Sequence, residues 1–136
     1  MARSQSIDLV NAYYAAFNAG DWEGMLACLD EQVVHDINQG ERQTGIEAFR
    51  AFLAHMDRCY GERLADIVVM ASEDGSRAAA EFVVHGTYKV TDAGLPPARG
   101  QTYELPAGAF FDIRGGRIAR VTNYYNLDDW TRQVAD

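Results

Sequence analysis

The apolar period of the sequence changes from about 3.6 to 2 near Gly61, and this change limits the folds that the chain can adopt. Before Gly61, apart from one short strand-like segment, apolar residues recur every three or four positions, which indicates amphipathic helices. After it they alternate over four segments, which indicates strands. The longest helical stripe comprises Ile46, Phe49, Leu53, Met56 and Tyr60, behind a capping box at residues 44–47. Helices followed by strands predict an α+β domain in which one sheet covers the helices.

Two helices are predicted before the long one, joined by a tight elbow. The first carries the apolar stripe Ile7, Val10, Tyr13, Tyr14 and Phe17, with Ser6 as its cap. Gly20 can take the left-handed conformation that ends a helix, and Asp21 can cap the next one. The inward-facing residues of the second helix are Trp22, Met25, Leu26 and Leu29.

Five strands are predicted, one between the helices and four after them. They cover residues 32–38, 64–72, 77–91, 101–113 and 117–126, and Asp128 or Asp129 caps a short last helix. The turns at residues 73–75 and 114–116 favour antiparallel pairing. Gly86, Pro106 and Gly108 favour bulges and bends. We therefore expect a strongly curved sheet that closes over the long helix and leaves a cavity at its open end.

Charge and apolar runs restrict the classes of partner. The chain has 12 Lys and Arg against 20 Asp and Glu, a net charge of −8, which repels nucleic acids and anionic membranes. No apolar run approaches the roughly 20 residues of a membrane span, and residues 1–6 lack the apolar stretch of a secretory signal. We expect a single cytoplasmic domain over residues 1–136 that binds neither nucleic acid nor membranes.

The cysteines and histidines do not show metal-ligand spacing. Cys28 and Cys59 lack a Cys-x-x-Cys pattern, so reduced, half-buried thiols are expected. His35, His55 and His85 lack the four-residue spacing of a helical zinc site. No metal is therefore expected.

Four segments occur in an order that resembles the nuclear transport factor 2-like superfamily, and together they span nearly the whole chain. They are FNAGDW at residues 17–22, VVHD at 33–36, TGIEAF at 44–49 and GRIARVTNYY at 116–125. The chain looks most like the ketosteroid isomerase-related branch, and residues 85–100 also resemble SnoaL-like polyketide cyclases. The resemblance implies a cone-shaped, curved antiparallel sheet wrapped around three helices. That fold hosts several enzyme classes and binding modules, so it does not fix a reaction.

Asp36 is the first candidate for chemistry. It stands where a ketosteroid isomerase carries the aspartate that moves a proton, so the resemblance implies that Asp36 removes a proton next to a carbonyl group in an apolar cavity. The alternative is a solvated aspartate that binds the turn at residues 39–40. His35 has the opposite strand parity and is expected to pack against a helix or a partner subunit.

Tyr13 and Asn123 are the candidates for stabilising the resulting enolate. Tyr13 precedes Asp21 by the spacing found in the isomerases, so the resemblance implies a hydroxyl donor, although Tyr13 also fits the apolar stripe of the first helix. The isomerases carry a second, protonated aspartate at the position of Gly108 or Ala109, and Asn123 is the obvious substitute. Without that acid, we expect no useful steroid isomerase activity.

The expected pocket walls come from the helices and from the last two strands. Phe17, Trp22 and Phe111 would supply apolar surface, with a closed core as the alternative for each. Val121, Asn123 and Tyr125 alternate on one face of the last strand and match pocket positions in the resembled family.

These features predict a small-molecule isomerase-like protein that transfers a proton next to the carbonyl group of a compact apolar or aromatic substrate. No cofactor is implied. The alternatives are a SnoaL-like cyclase or hydro-lyase that uses the same acid, and a non-enzymatic ligand-binding or dimerisation domain.

A homodimer is predicted from the strands. Apolar residues occupy alternating positions that point to both faces of the strands, as in Phe110 beside Phe111 and Tyr124 beside Tyr125. Whichever set faces the helices, the other leaves an apolar patch that a soluble monomer would rarely expose. Two-fold pairing lets one such patch cover itself. The resemblance to the nuclear transport factor 2-like superfamily implies the same, since its members commonly pair through this face.

Overall fold

A computed structural model describes residues 2–135; Met1 and Asp136, the ends of the predicted domain, lie outside this range. Its helices are α1 (Arg3–Ala19), α2 (Trp22–Ala27), α3 (Ile46–Cys59) and α4 (Leu127–Val134). Its strands are β1 (Leu29–Asp36), β2 (Arg42–Thr44), β3 (Tyr60–Ala71), β4 (Arg77–Tyr88), β5 (Thr102–Arg114) and β6 (Arg117–Tyr125).

All six strands form one curved, open sheet in the order β2-β1-β6-β5-β4-β3. This confirms the predicted α+β class and the meander of four strands. Two features differ from the prediction. The three-residue strand β2 was not predicted, and β1 pairs with β6 in parallel, so the sheet is mixed rather than purely antiparallel. A parallel neighbour requires a long crossover, which here is the whole chain between β1 and β6.

The elbow between the first two helices forms as predicted. Gly20 has a φ of 70° and ends α1, and the Asp21 side chain accepts a hydrogen bond of 2.9 Å from the backbone N–H of Gly24. The predicted cap Ser6 is wrong, because α1 already begins at Arg3. Ser6 is instead buried inside the helix, where its hydroxyl donates to the carbonyl oxygen of Gly75 at 2.6 Å.

The ends of α3 also differ from the prediction. Thr44 belongs to β2, so the expected capping box does not form and Gly45, with a φ of 101°, precedes the helix. The helix ends at Cys59 and β3 begins at Tyr60, four residues before the predicted start of that strand. At the other end of the chain, Asn126 rather than an aspartate caps α4, since its side chain accepts from the N–H of Asp129 at 3.0 Å.

The β4–β5 ladder is regular where bulges were expected at Gly86, Pro106 and Gly108. Its register runs without a shift along both strands. Register shifts occur elsewhere: between Leu29 and Val34 in β1, between Asp112 and Ile113 where β5 pairs with β6, and between Ala65 and Val68 in β3. In β3 the residue Asp66 has a positive φ of 55°. This bulge, together with the twist of long paired strands, accompanies the curvature of the sheet.

The two faces of the sheet differ sharply. The concave face packs on α1 and α3 over a core whose largest fully buried residues are Tyr88, Phe49, Phe111, Leu29 and Ile118. The outer face carries a charged ladder across five strands, formed by Arg42, Asp36, Arg120, Asp112 and Arg77. No helix within residues 2–135 is long and apolar enough to cross a bilayer.

Candidate functional site

A cavity of about 610 Å³ lies between the helices and the concave face of the sheet. Of the predicted wall residues, Phe17, Trp22 and Tyr125 line it. Phe111 and Val121 do not, because both are fully buried in the core. The Phe111 ring packs edge-on against Tyr13 and Tyr14, with centroid distances of 6.0 and 6.1 Å, and these tyrosines line the cavity instead.

The predicted position of Asp36 at the cavity wall is wrong. In the register of the sheet, Asp36 stands beside Thr122 on the outer face, while His35 stands beside Val121 on the inner face. The carboxylate accepts hydrogen bonds from Arg42 at 2.7 and 3.1 Å and from the Thr122 hydroxyl at 2.7 Å. These bonds, with Arg42 first, lower the pKa of Asp36 to about 2. The carboxylate is therefore ionised, paired and directed away from the cavity.

His35 occupies the inward position that the prediction gave to Asp36. Its side chain is 1% exposed and lies against the rings of Phe49 and Phe52, with centroid distances of 4.5 and 4.7 Å. Burial lowers the pKa of His35 to about 4, although the neighbouring charge of Asp36 opposes this shift. The imidazole is therefore neutral near pH 7.

The imidazole of His35 has one partner and one free nitrogen. Its Nε2 lies 3.3 Å from Nδ2 of Asn123, a predicted site residue that lines the same cavity. Its Nδ1 is buried and has no hydrogen-bond partner within residues 2–135. A buried polar atom without a partner is costly, so this nitrogen would gain from a hydrogen bond with a ligand.

Tyr13 and Tyr14 add two hydroxyl groups to the wall. Both residues are almost fully buried, and burial raises the pKa of each phenol well above its ordinary value, so both stay protonated. The Tyr14 hydroxyl has no hydrogen-bond partner among the described residues. Two phenols and the His35–Asn123 pair thus line the same cavity.

Sequence reasoning missed a second polar group, formed by Glu62 and Tyr103. Glu62 lines the cavity from β3, and the Tyr103 hydroxyl donates to its Oε2 at 2.5 Å. Burial raises the pKa of Glu62, whereas the bond from Tyr103 lowers it. Glu62 sits in a segment where the predicted helix ran into a predicted strand, so no periodicity marked it.

A third polar group lines the cavity near the loop that follows β4. One carboxylate oxygen of Asp92 accepts a hydrogen bond of 2.7 Å from the Tyr60 hydroxyl, and the other lies 2.9 Å from Nε2 of His55. The possible ligand atoms of His55, Cys59 and Asp92 all lie within 4.8 Å of one another, the one such cluster among the described residues. Both carboxylate oxygens of Asp92 already have partners, so we assign no metal to this cluster.

Known proteins resemble this chain in sequence and in fold. The model of the SnoaL-like domain matches residues 10–121. No curated protein sequence matches the chain.

Solved structures superpose over nearly the whole chain. A candidate polyketide cyclase from Pseudomonas putida KT2440 is 67% identical, with 99% of each chain covered and a TM-score of 0.95. A candidate polyketide cyclase from Xanthomonas campestris pv. campestris is 59% identical, with 98% of each chain covered and a TM-score of 0.95. A nuclear transport factor 2-like protein from Burkholderia pseudomallei K96243 is 19% identical, with 97% and 98% covered and a TM-score of 0.82, and shows the shared fold alone.

Proposed function

We propose that this chain, which belongs to the SnoaL-like domain family, moves a proton next to the carbonyl group of a compact apolar or aromatic substrate, as an isomerase or cyclase does. The observation that carries the proposal is the cavity of about 610 Å³, whose largely apolar wall includes His35 and Tyr14, each with a buried polar atom that lacks a partner. An apolar pocket with a few convergent polar groups is the usual form of a small-molecule site. The names of the P. putida and X. campestris relatives support the same class of reaction.

His35 is proposed as the group that holds the carbonyl oxygen. With the amide nitrogen of Asn123 facing Nε2, the imidazole accepts there and carries its proton on Nδ1. A neutral imidazole can donate that N–H to a carbonyl oxygen and to the enolate that forms from it. The Tyr14 hydroxyl is a second donor in the same wall. These groups would take the place of the second acid that the sequence lacks at Gly108 or Ala109.

The experiment follows proton exchange on a probe ketone. β-Tetralone, a bicyclic aromatic ketone, is incubated with the protein in deuterium oxide, and proton NMR records the loss of the signals next to its carbonyl group. Replacing His35 with leucine removes the donor and should slow the catalysed exchange by about 10² to 10³-fold, the usual effect of losing one such donor.

Asp36→Asn is the matched control, because Asp36 is the next residue in β1 but lies on the outer face. This variant should exchange the probe at a rate within about threefold of the parent, since the loss of a general base would lower the rate far more. Exchange no faster than in buffer alone would reject the proposed function. Binding of β-tetralone without exchange would indicate the non-enzymatic ligand-binding alternative.

We also propose that the chain pairs with a second copy through the outer face of its sheet. Phe110 and Tyr124 are 49% and 57% exposed, and their rings lie 5.8 Å apart. Val68 and Met70 on β3 are exposed to a similar degree. Exposed apolar residues on one sheet face favour a self-complementary two-fold contact.

Light scattering should therefore report about 30 kDa, twice the chain mass of 15.1 kDa. Phe110→Glu places a charge in the patch and should yield the monomer. Val90→Glu is the control, because Val90 is exposed outside the sheet and its change should leave the dimer intact. A parent protein that scatters as a monomer at micromolar concentration would contradict the pairing.

A further inference from the structure

Glu62, Gly86 and Tyr103 lie side by side on three neighbouring strands. Glu62 on β3 is paired with Gly86 on β4, and Gly86 is paired with Tyr103 on β5. All three share the concave face of the sheet, and Glu62 lines the cavity. The Tyr103 hydroxyl reaches over the middle strand to Oε2 of Glu62 at 2.5 Å.

The absence of a side chain at Gly86 makes this contact possible. A Cβ atom at this position would lie 2.2 Å from Cζ and 2.4 Å from the hydroxyl oxygen of Tyr103. No other residue could occupy this position without displacing the phenol. The Tyr103 ring is itself fixed by burial and by the edge-on ring of Trp130, at a centroid distance of 6.0 Å. The arrangement therefore orients one carboxyl group of the cavity.

Glu62 differs from the other carboxylates of the cavity wall. Asp57 is exposed to solvent, and both oxygens of Asp92 are engaged by His55 and Tyr60. Oε1 of Glu62, by contrast, has no hydrogen-bond partner within residues 2–135. Of these carboxylates, Glu62 alone is both sheltered from bulk solvent and free to accept a proton.

We propose that Glu62 is the catalytic residue that takes and returns the proton, and that Tyr103 is its positioning residue. This inference rests on the proposed function of the cavity. Oε1 of Glu62 accepts a proton from the carbon next to the carbonyl group, so a C–H bond breaks and an O–H bond forms. The C–H electron pair becomes the carbon–carbon double bond of an enolate, whose oxygen is held by His35 and Tyr14. Glu62 then returns the proton to the same carbon or to a conjugated one, with no net oxidation.

The charges around Glu62 suit this role. The titratable groups that interact with it are Tyr103 on β5, which donates a hydrogen bond to it, and Tyr125 on β6. Neither of these is a cation, and Glu62 forms no ion pair within the described part of the chain. A carboxylate without a cationic partner in an apolar wall is a stronger base than one in water.

The test compares Glu62→Gln with Tyr103→Phe in the β-tetralone exchange assay. Glu62→Gln keeps the size of the side chain and should lower the exchange rate by about 10² to 10⁴-fold, the range for a general base. Binding of the probe, measured by thermal shift, should stay within about threefold of the parent. Tyr103→Phe should retain exchange but move the acid limb of the pH–rate profile to higher pH, because the hydrogen bond that lowers the pKa of Glu62 is lost.

A second variant covers the case in which Glu62→Gln does not fold. In Glu62→Ala, added formate should restore exchange in proportion to its concentration, whereas formate should not restore exchange in His35→Leu. Exchange by Glu62→Gln within about threefold of the parent, while His35→Leu is impaired, would overturn the role of Glu62 and leave the proposed function standing. Failure of the parent protein to exchange the probe would overturn the proposed function itself.

Discussion

Replacing Gly86 with alanine is expected to lower the free energy of unfolding by about 3 kcal/mol, at the upper end of what overpacking usually costs. The new methyl group would meet the buried Tyr103 ring at 2.2 Å. The ring must then move away from Trp130, and its hydroxyl must leave Glu62. Both the packing and the hydrogen bond of a buried group would be lost together, and urea denaturation followed by circular dichroism measures the sum.

A double-mutant cycle isolates the contact with the ring. Tyr103→Leu removes the atoms that a Cβ at Gly86 would meet, while it keeps an apolar side chain in place. Gly86 does not have a positive φ, so alanine is compatible with the strand backbone. In the Tyr103→Leu background, Gly86→Ala should therefore be neutral or stabilise the protein by about 0.5 kcal/mol, the usual advantage of alanine over glycine in a strand. An equal loss of stability in both backgrounds would show that the ring is not the cause.

The sequence predicted local structure well where one side chain decides it. Gly20 ends α1 and Asp21 caps α2, because a left-handed backbone and a carboxylate acceptor are local requirements. Prediction failed where a residue distant in the sequence determines the local structure. Thr44 has the pattern of a cap, but it pairs with Val34 and so extends a strand instead. Ser6 likewise turns inward to the carbonyl of Gly75, sixty-nine residues away in the chain.

The candidate site shows the same division. The alternation in β6 correctly brought Asn123 and Tyr125 to the cavity. In β1, the alternation of side chains along a strand predicted that His35 and Asp36 lie on opposite faces of the sheet. It did not determine which of the two faces inward. That choice depends on the parallel pairing with β6, which places His35 beside the buried Val121. A carboxylate was expected at this position of the cavity wall, and the structure places a neutral imidazole there instead.

Glu62 could be recognised only from the assembled sheet. Its neighbours in the sequence carry no motif, and Gly86 was taken as a sign of a bend in its strand. The register shows another reason for the glycine, since it leaves room for the Tyr103 phenol on the inner face. The three residues are spread over forty-two positions and meet only because β3, β4 and β5 form consecutive antiparallel pairs.

Acidification should destabilise the protein in a window set by His35. The pKa of His35 is lowered from 6.5 to about 4 in the folded chain, because burial disfavours the charged imidazole. Between these two values the unfolded chain binds a proton at His35 that the folded chain does not, so the free energy of unfolding falls as the pH falls. A shift of this size corresponds to about 3 kcal/mol, lost progressively from about pH 6.5 to pH 4.

Asp36 titrates in a separate window and so provides the control. Its pKa is lowered from 3.8 to about 2, so the stability that it contributes is present above pH 3.8 and is lost only below that value. Urea denaturation at pH 7 and pH 4.5 should show a fall in the free energy of unfolding for the parent and for Asp36→Asn. His35→Leu should show a much smaller fall, because leucine takes up no proton on unfolding. An undiminished fall in His35→Leu would mean that His35 is not the buried base that limits stability in weak acid.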